Sequence, residues 1–305
     1  MDQSLAVLIP CHNEQATIGK VIDDFRAALP QAQVYVFNNA STDRSEEIAL
    51  AHGAVVRRVN RLGKGHVVAA MLQAPPADVM IMVDGDDTYD AAAAGRLLEP
   101  ILQGRSDMVV ATRLEGPQPH AFRPLHLAGN RLVRGLINLI FRASLHDIMS
   151  GYRAFTADLA RSLAVTAVGF EIETELTIQT LYANFVIAEV PTDYRPRPPG
   201  SLSKLRTFRD GLRVLWTIFN IARSVKPLTF FGLAAIALLT LGVLCGIPAI
   251  LQYFHNPLHR VESFPLLFVG VGLVVCSFIS LAIGIILHAL NVRLKELALL
   301  LRKKQ

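Results

Sequence analysis

The chain has 305 residues, 52% of them hydrophobic, with 30 Lys and Arg against 25 Asp and Glu for a net charge of +5, and its mean hydropathy is +0.38. This length fits one large domain or two ordinary ones, and the apolar share is high for a purely soluble protein. Cys11, Cys245 and Cys276 match neither a disulfide framework nor zinc spacing, and no basic patch interleaved with aromatics suggests nucleic acid as a partner.

Met1-Asp2-Gln3-Ser4 is polar and residues 5–9 are too few for the apolar core of a signal peptide, so the N-terminal part is expected in the cytoplasm. Leu5-Ala6-Val7-Leu8-Ile9 predicts a buried strand, ended by Pro10 and followed by the polar loop Cys11-His12-Asn13-Glu14. Loops at the carboxyl ends of strands are where open α/β sheets bind ligands. Ile18, Val21, Ile22, Phe25 and Leu29 recur at helical spacing. Residues 34–37 predict a second strand running into Asn38-Asn39-Ala40-Ser41-Thr42-Asp43, with Ser41 or Thr42 expected to cap a helix through Leu50.

A short third strand is expected at 54–56, then a basic loop, 57–65, ending in Gly63-Lys64-Gly65. A P-loop is excluded, because Arg58 stands at its first glycine and Gly65 where Ser or Thr must follow Lys64. The dinucleotide fingerprint fails at Val68. Two readings stay open: a flexible loop whose Lys64 and Arg61 reach a phosphate or base, and a solvated turn.

Residues 79–83, Val-Met-Ile-Met-Val, stop abruptly in Asp84-Gly85-Asp86-Asp87-Thr88-Tyr89-Asp90. Carboxylates at the end of a buried parallel strand suit a hard cation such as Mg2+ or Mn2+, which shares its remaining positions with substrate phosphates. Asp84 and Asp86 are the first candidates, with a solvated acidic turn as the alternative. An EF-hand is excluded by Thr88, Tyr89 and Gly95 at three of its required positions. Residues 107–112 predict a further strand ending at Arg113. This alternation implies an α/β fold with a mostly parallel sheet that gathers Asn13, Asn38, Asn39, Lys64, Asp84, Asp86 and Arg113 along one edge.

Beyond Arg113, the residues Leu132, Val133, Leu136, Ile137, Ile140 and Phe141 make an apolar helix face with arginines around it. Such a helix can lie in a membrane interface or pack on the sheet. Asp147 stands beside the turn at Gly151, and Glu171, Glu173 and Glu175 open a helix to Asn184, where acids favour the helix dipole. Residues 186–190 predict a last strand. A segment rich in Pro and Arg follows, then a helix with Leu205, Phe208, Leu212, Leu215, Trp216 and Phe219 on one side, read as surface-bound.

Residues 228–254 and 264–290 lack Asp, Glu, Lys and Arg, and each exceeds the roughly 20 residues needed to cross a bilayer. Arg223 and Lys226 precede the first run and Arg293, Lys295, Arg302, Lys303 and Lys304 follow the second, while the connection holds only Arg260. The positive-inside rule then places both termini in the cytoplasm.

The motifs Ile9-Pro10-Cys11-His12-Asn13-Glu14, Asn38 to Ser45, Asn60 to Gly65, Asp84-Gly85-Asp86, Arg113, Asp147 to Phe155 and Arg197 to Lys204, in this order and ahead of two apolar runs, resemble the family-2 glycosyltransferases. The likeness is to the branch with dolichol-phosphate mannose synthase and bacterial polyprenyl-phosphate glucosyltransferases, and it spans residues 5–205. It implies a GT-A head (1–204), an interface helix (205–226), two transmembrane helices with a short extracytoplasmic loop (227–290) and a basic cytoplasmic tail (291–305). It further implies transfer of one sugar from a nucleotide sugar, with UDP favoured over GDP, to a polyprenyl phosphate such as undecaprenyl phosphate at the bacterial inner membrane. Mg2+ or Mn2+ would assist.

By this resemblance Pro10, Asn13, Glu14, Asn38, Asn39, Lys64, Asp84, Gly85 and Arg113 serve the donor, and Asp84 and Asp86 the metal. Arg131, Arg197, Ser203 and Lys204 serve the acceptor phosphate. Asp147, as base or orienting group, and Asp86 carry the catalysis. His12, Asn38-Asn39 and Thr88 depart from Tyr, Asp-Asp and Gln in relatives. A processive synthase lacks support because its Gln-x-x-Arg-Trp signature is absent, and a non-catalytic scaffold is opposed by Asp84 and Asp86. Assembly is open, a homo-oligomer included.

Overall fold

The computed structural model describes residues 3–73, 77–113, 124–167, 169, 171–196, 216, 219–220, 223–255 and 263–302. The chain divides into two units, Met1–Ile218 and Phe219–Gln305.

Among the described residues, the first unit is built on a seven-stranded sheet of order β3-β2-β1-β4-β6-β5-β7. Its strands are β1 (Leu5–Cys11), β2 (Gln33–Asn38), β3 (Val55–Arg58), β4 (Val79–Met82), β5 (Met108–Thr112), β6 (Arg153–Thr156) and β7 (Ile187–Pro191). Among the described residues, this unit includes the helices α1 (Ile18–Ala28), α2 (Ser45–Ala51), α3 (Lys64–Gln73), α4 (Ala94–Leu102), α5 (Pro124–Phe141), α6 (Ala157–Ser162) and α7 (Ile172–Tyr182). Both faces of the sheet are covered, which is why β1, β4 and β5 are near-continuous apolar runs. Alternate residues serve opposite cores: Val7, Ile9, Val79 and Ile81 pack on one face, and Ala6, Leu8, Met80 and Met82 on the other.

The sheet is mostly parallel, as expected, with one strand reversed. β6 runs antiparallel to both β4 and β5, and its short Arg-Ala-Phe-Thr sequence carries no period that announces a strand. Every other strand points the same way, so Cys11, Asn38, Met82 and Thr112 end on one edge. Reversal makes β6 start at that edge, which brings the loop before Arg153 to the site.

Several local expectations change. Lys64 opens α3 rather than sitting in a flexible loop. The helix after β2 begins at Ser45, not after Ser41 or Thr42, and Asp43 Oδ1 accepts from the Ser45 amide (3.0 Å) and hydroxyl (2.5 Å). Glu173 and Glu175 lie in the first turn of α7 as expected, and both are buried together with Glu171. On α5, Val133 and Ile137 are buried while Leu132 and Leu139 are exposed, so this helix packs by a narrow stripe.

In the second unit, helices Pro227–His255 and Phe264–Arg302 contain apolar spans, Pro227–His255 and Phe264–Leu294, long enough to cross a membrane. The second helix continues through most of the segment read as a tail. The pair is antiparallel and tied at both ends: Gln252 Oε1 accepts from Ser263 N (3.1 Å) and Oγ (2.8 Å), and Asn291 Nδ2 donates to the Ser224 carbonyl. Midway, a Cβ on Gly242 would meet Gly270 O at 2.8 Å and one on Gly270 would meet Gly242 O at 2.8 Å, so only glycine permits this crossing. Of the helix expected over 205–226, residues 205–215 lie outside the described residues, and Trp216 is helical and exposed.

Candidate active site

The β4 exit holds the acids. Asp84 Oδ1 lies 2.6 Å from Lys64 Nζ at the start of α3, and the same ammonium lies 2.6 Å from Glu173 Oε1 on α7. Burial works against that charge, but the two carboxylates, Asp84 first, outweigh it and hold the Lys64 pKa above the ordinary lysine value. Asp86 is buried, and its Oδ1 accepts from the Thr88 hydroxyl at 2.6 Å and the Thr88 amide at 3.3 Å. Thr88 therefore orients the carboxylate rather than extending the acid set. Gly85 is a close approach point: its carbonyl accepts from Thr17 Oγ1 at 2.6 Å, and a Cβ there would sit 3.3 Å from Ile9 Cγ2. Asp87 pairs with Lys20 (2.8 Å), and Asp90 caps the turn at Ala91–Ala93 through the Ala92 amide (3.2 Å).

Beside these acids, the loop before β6 joins them to Arg113. Arg113 makes a two-point pair with Asp147, Nε to Oδ2 at 2.8 Å and Nη2 to Oδ1 at 3.0 Å, and its amide also donates to Oδ2 at 3.1 Å. Asp147 is only 1% exposed. Burial alone would raise its pKa; the Arg113 charge and the surrounding N–H donors reverse this and hold it below the usual carboxylate range. A carboxylate held in this way is suited to fixing Arg113 and poorly suited to taking a proton. Four positions further on, Gly151 rests on Asp84, since a Cβ there would fall 2.4 Å from Asp84 Oδ2.

Residues that sequence reasoning did not single out fix this loop. The Gly151 amide donates to Tyr89 Oη at 3.0 Å, and the Tyr194 ring packs edge-on against Tyr89 with centroids 5.2 Å apart. The Arg113 guanidinium stands 5.5 Å from the Tyr194 ring centroid. Arg153 is fully buried and donates to the Ser150 carbonyl (2.8 Å), the Ile148 carbonyl (2.5 Å) and Thr177 Oγ1 (2.8 Å). Burial draws its pKa down to about 10. Glu189 on β7 accepts from the amides of His146 (2.8 Å) and Asp147 (2.9 Å). The one sequence signal for Glu173 was the Glu171-x-Glu173-x-Glu175 run; the others show no local pattern.

The asparagines have framework partners. Asn39 donates to the carbonyls of Val59 (3.0 Å) and Arg61 (2.8 Å) and accepts from the Gly63 amide (2.8 Å), which shapes the approach to Lys64. Asn38 donates to Glu46 (2.5 Å) and accepts from the Ser41 amide (3.1 Å). Asn13 adopts a left-handed φ of 52° and accepts from the Thr42 amide at 2.8 Å. Glu14 is buried and its carbonyl receives the amides that open α1, Thr17 (3.0 Å) and Ile18 (2.9 Å). Pro10 is partly buried in β1 and Arg131 is exposed on α5. Arg197, Ser203 and Lys204 lie outside the described residues.

The chain that carries this edge is similar to known proteins. A model of glycosyl transferase family 2 matches residues 6–163. Glycosyltransferase AglJ of Haloferax volcanii is 36% identical over 233 residues, 75% of this chain and 75% of the relative. A dolichyl-phosphate hexose transferase of the same organism is 31% identical over 210 residues, 69% of this chain and 90% of the relative. Among solved structures, glucosyl-3-phosphoglycerate synthase from Mycobacterium tuberculosis, in complex with Mn2+, UDP and glucosyl-3-phosphoglycerate, superposes with a TM-score of 0.56 at 25% identity, covering 71% of this chain and 80% of that one. With the family model spanning more than half of the chain and the fold similar to that of the solved enzyme, the chain belongs to glycosyltransferase family 2 and is a glycosyltransferase of GT-A fold.

Proposed function

We propose that the protein transfers one sugar from a UDP-sugar to a polyprenyl phosphate such as undecaprenyl phosphate, at the cytoplasmic face of a bacterial inner membrane. The observation that carries the reading is the convergence of Asp84, Asp86, Lys64 and Arg113 at one sheet edge, in a chain that also has two membrane-length apolar helices. The relative named for dolichyl phosphate supports a lipid phosphate as acceptor, and the solved relative with UDP and Mn2+ supports the donor class.

The residues fit a divalent cation. Asp84 and Asp86 offer hard carboxylate oxygens from one loop, and among the described residues no group of three or more acids, His or Cys gathers to complete a cage, which suits an ion shared with a diphosphate. Bound there, Mg2+ or Mn2+ would neutralise charge growing on the departing diphosphate.

The acceptor phosphate monoester, with a second pKa of about 6, is largely ionised at neutral pH and needs little general base. Its oxygen attacks the anomeric carbon, the bond from that carbon to the diphosphate oxygen breaks, and the electron pair leaves with the nucleoside diphosphate. One displacement inverts the anomeric centre. Arg113, fixed by Asp147, serves a phosphate, Lys64 serves the diphosphate, and the orienting role of Asp147 replaces that of a base. Arg131 and the segment with Arg197, Ser203 and Lys204 are assigned to the lipid phosphate.

The test is to incubate the purified protein and undecaprenyl phosphate with UDP- and GDP-sugars, with Mn2+, Mg2+ or chelator. A glycolipid of inverted configuration from one UDP-sugar, lost with chelator, is the expected result. Transfer only to a soluble acceptor such as phosphoglycerate would refute the lipid assignment, and a GDP-sugar as sole donor would refute UDP.

A further inference from the structure

Lys64 stands between carboxylates from two distant parts of the fold, 2.6 Å from Asp84 on the β4 loop and 2.6 Å from Glu173 on α7. It is the first residue of α3, where the helix dipole disfavours a cation, so the two acids rather than the helix hold it. Glu173 is nearly buried, with 5% of its side chain exposed, whereas Asp84 keeps 26%. Asp84 also bears one of the oxygens assigned above to a divalent cation. An ammonium at hydrogen-bond distance competes for that carboxylate, and Glu173 supplies the second place where the ammonium stays buried and paired.

We propose that Glu173 is a positioning residue that makes Lys64 a removable counter-ion of Asp84, so that the resting site resists a bare divalent cation and accepts one together with a nucleoside diphosphate. The inference rests on the metal-assisted reading of this site. An ammonium has three N–H donors. When Asp84 releases it, Lys64 keeps Glu173 and turns a donor to a diphosphate oxygen. Cation and nucleotide then favour each other through one side chain, each strengthening the other by the same factor. Without Lys64, Asp84 loses the ammonium that competes with the cation, whether or not nucleotide is present. Without Glu173, the ammonium loses its buried second carboxylate and holds Asp84 more firmly.

The experiment measures Mn2+ affinity of the full chain in detergent, by electron paramagnetic resonance of free Mn2+, alone and with saturating UDP or GDP. Relative to wild type, Lys64→Met is expected to bind Mn2+ alone about fivefold tighter or more and to lose most of the gain given by nucleotide, and Glu173→Gln to bind Mn2+ alone about fivefold more weakly. Lys20→Met removes a cation paired with Asp24 and Asp87 instead of Asp84, and is expected to change neither quantity. Lys64→Gln and Glu173→Asp stand in for any variant that fails to fold. Unchanged or weaker Mn2+ binding in the Lys64 variants, an undiminished gain from nucleotide, or the same response in Lys20→Met overturns the inference while leaving the function intact. Wild-type protein that binds Mn2+ in neither condition overturns the metal-assisted reading, and the inference with it.

Discussion

Arg113 and Asp147 show how one residue pair converts burial into a usable charge. The guanidinium is held at two points by a carboxylate that is itself shielded from water, so its direction is fixed before any substrate arrives. Removing the acid's charge takes from Arg113 its two-point ionic partner, and Asp147→Asn is expected to cost about 3 kcal/mol at neutral pH. The pH dependence follows from the sign of the shift. Because the folded pKa of Asp147 is lowered, its contribution is complete above the unfolded value of about 3.9 and is lost as pH falls through the folded pKa. Melting temperatures of wild type and Asp147→Asn should therefore differ by a constant amount from pH 7 to about 5 and converge below about pH 4. A gap that stays constant to pH 3 would show that folding does not lower the Asp147 pKa. At this scale Asp84 and Asp86 were legible because acids directly after an apolar strand are a local pattern. Glu173, Arg153 and Tyr89 were not, since each matters through a partner 24 or more residues away, such as Arg153 with Thr177 and Tyr89 with Gly151.

Among the elements, the reversed strand β6 does most to assemble the site. A parallel strand in its place would deliver its carboxyl end to the edge and leave residues 147–152 at the opposite side; the antiparallel one sets Asp147 against Arg113 and Gly151 against Asp84. The contact at Gly151 makes a direct prediction. A methyl group there would lie 2.4 Å from Asp84 Oδ2 and 3.0 Å from Cγ, so Asp84 has to swing away. Gly151→Ala is expected to lower metal-dependent turnover about a hundredfold, because an ångström-scale displacement of a positioning group can cost that much. Gly95→Ala, where the new methyl meets nothing within 4 Å, should leave turnover unchanged. Equal activity of the two variants would remove Asp84 from the working site. The strands with apolar runs could be read from the sequence. α3 could not, because Gly63 and Gly65 around Lys64 imitate a loop, and neither could β6, because a fully buried arginine opens it.

On the scale of the whole molecule, the two apolar helices would set how the chain meets a bilayer. Backbone groups in hydrocarbon must be paired within the segment, and both helices satisfy this over lengths of 29 and 39 residues. Their closure at Ser224 with Asn291 and at Gln252 with Ser263 makes an antiparallel hairpin, so an inserted pair returns the chain to the side from which it came. We propose that basic residues choose the side. Arg223 and Lys226 before the pair and Arg293, Lys295, Arg302, Lys303 and Lys304 after it outweigh the single Arg260 between, which favours both ends in the cytoplasm. With Cys11, Cys245 and Cys276 replaced by alanine, a single cysteine introduced as His259→Cys should react with a membrane-impermeant maleimide in cells whose outer barrier is opened. Gln305→Cys should react only after the inner membrane is broken. The converse pattern would invert the orientation and separate the nucleotide site from a cytoplasmic donor. Labelling of both positions before lysis would mean that the hairpin does not cross, and the acceptor would then have to reach the enzyme from the membrane surface.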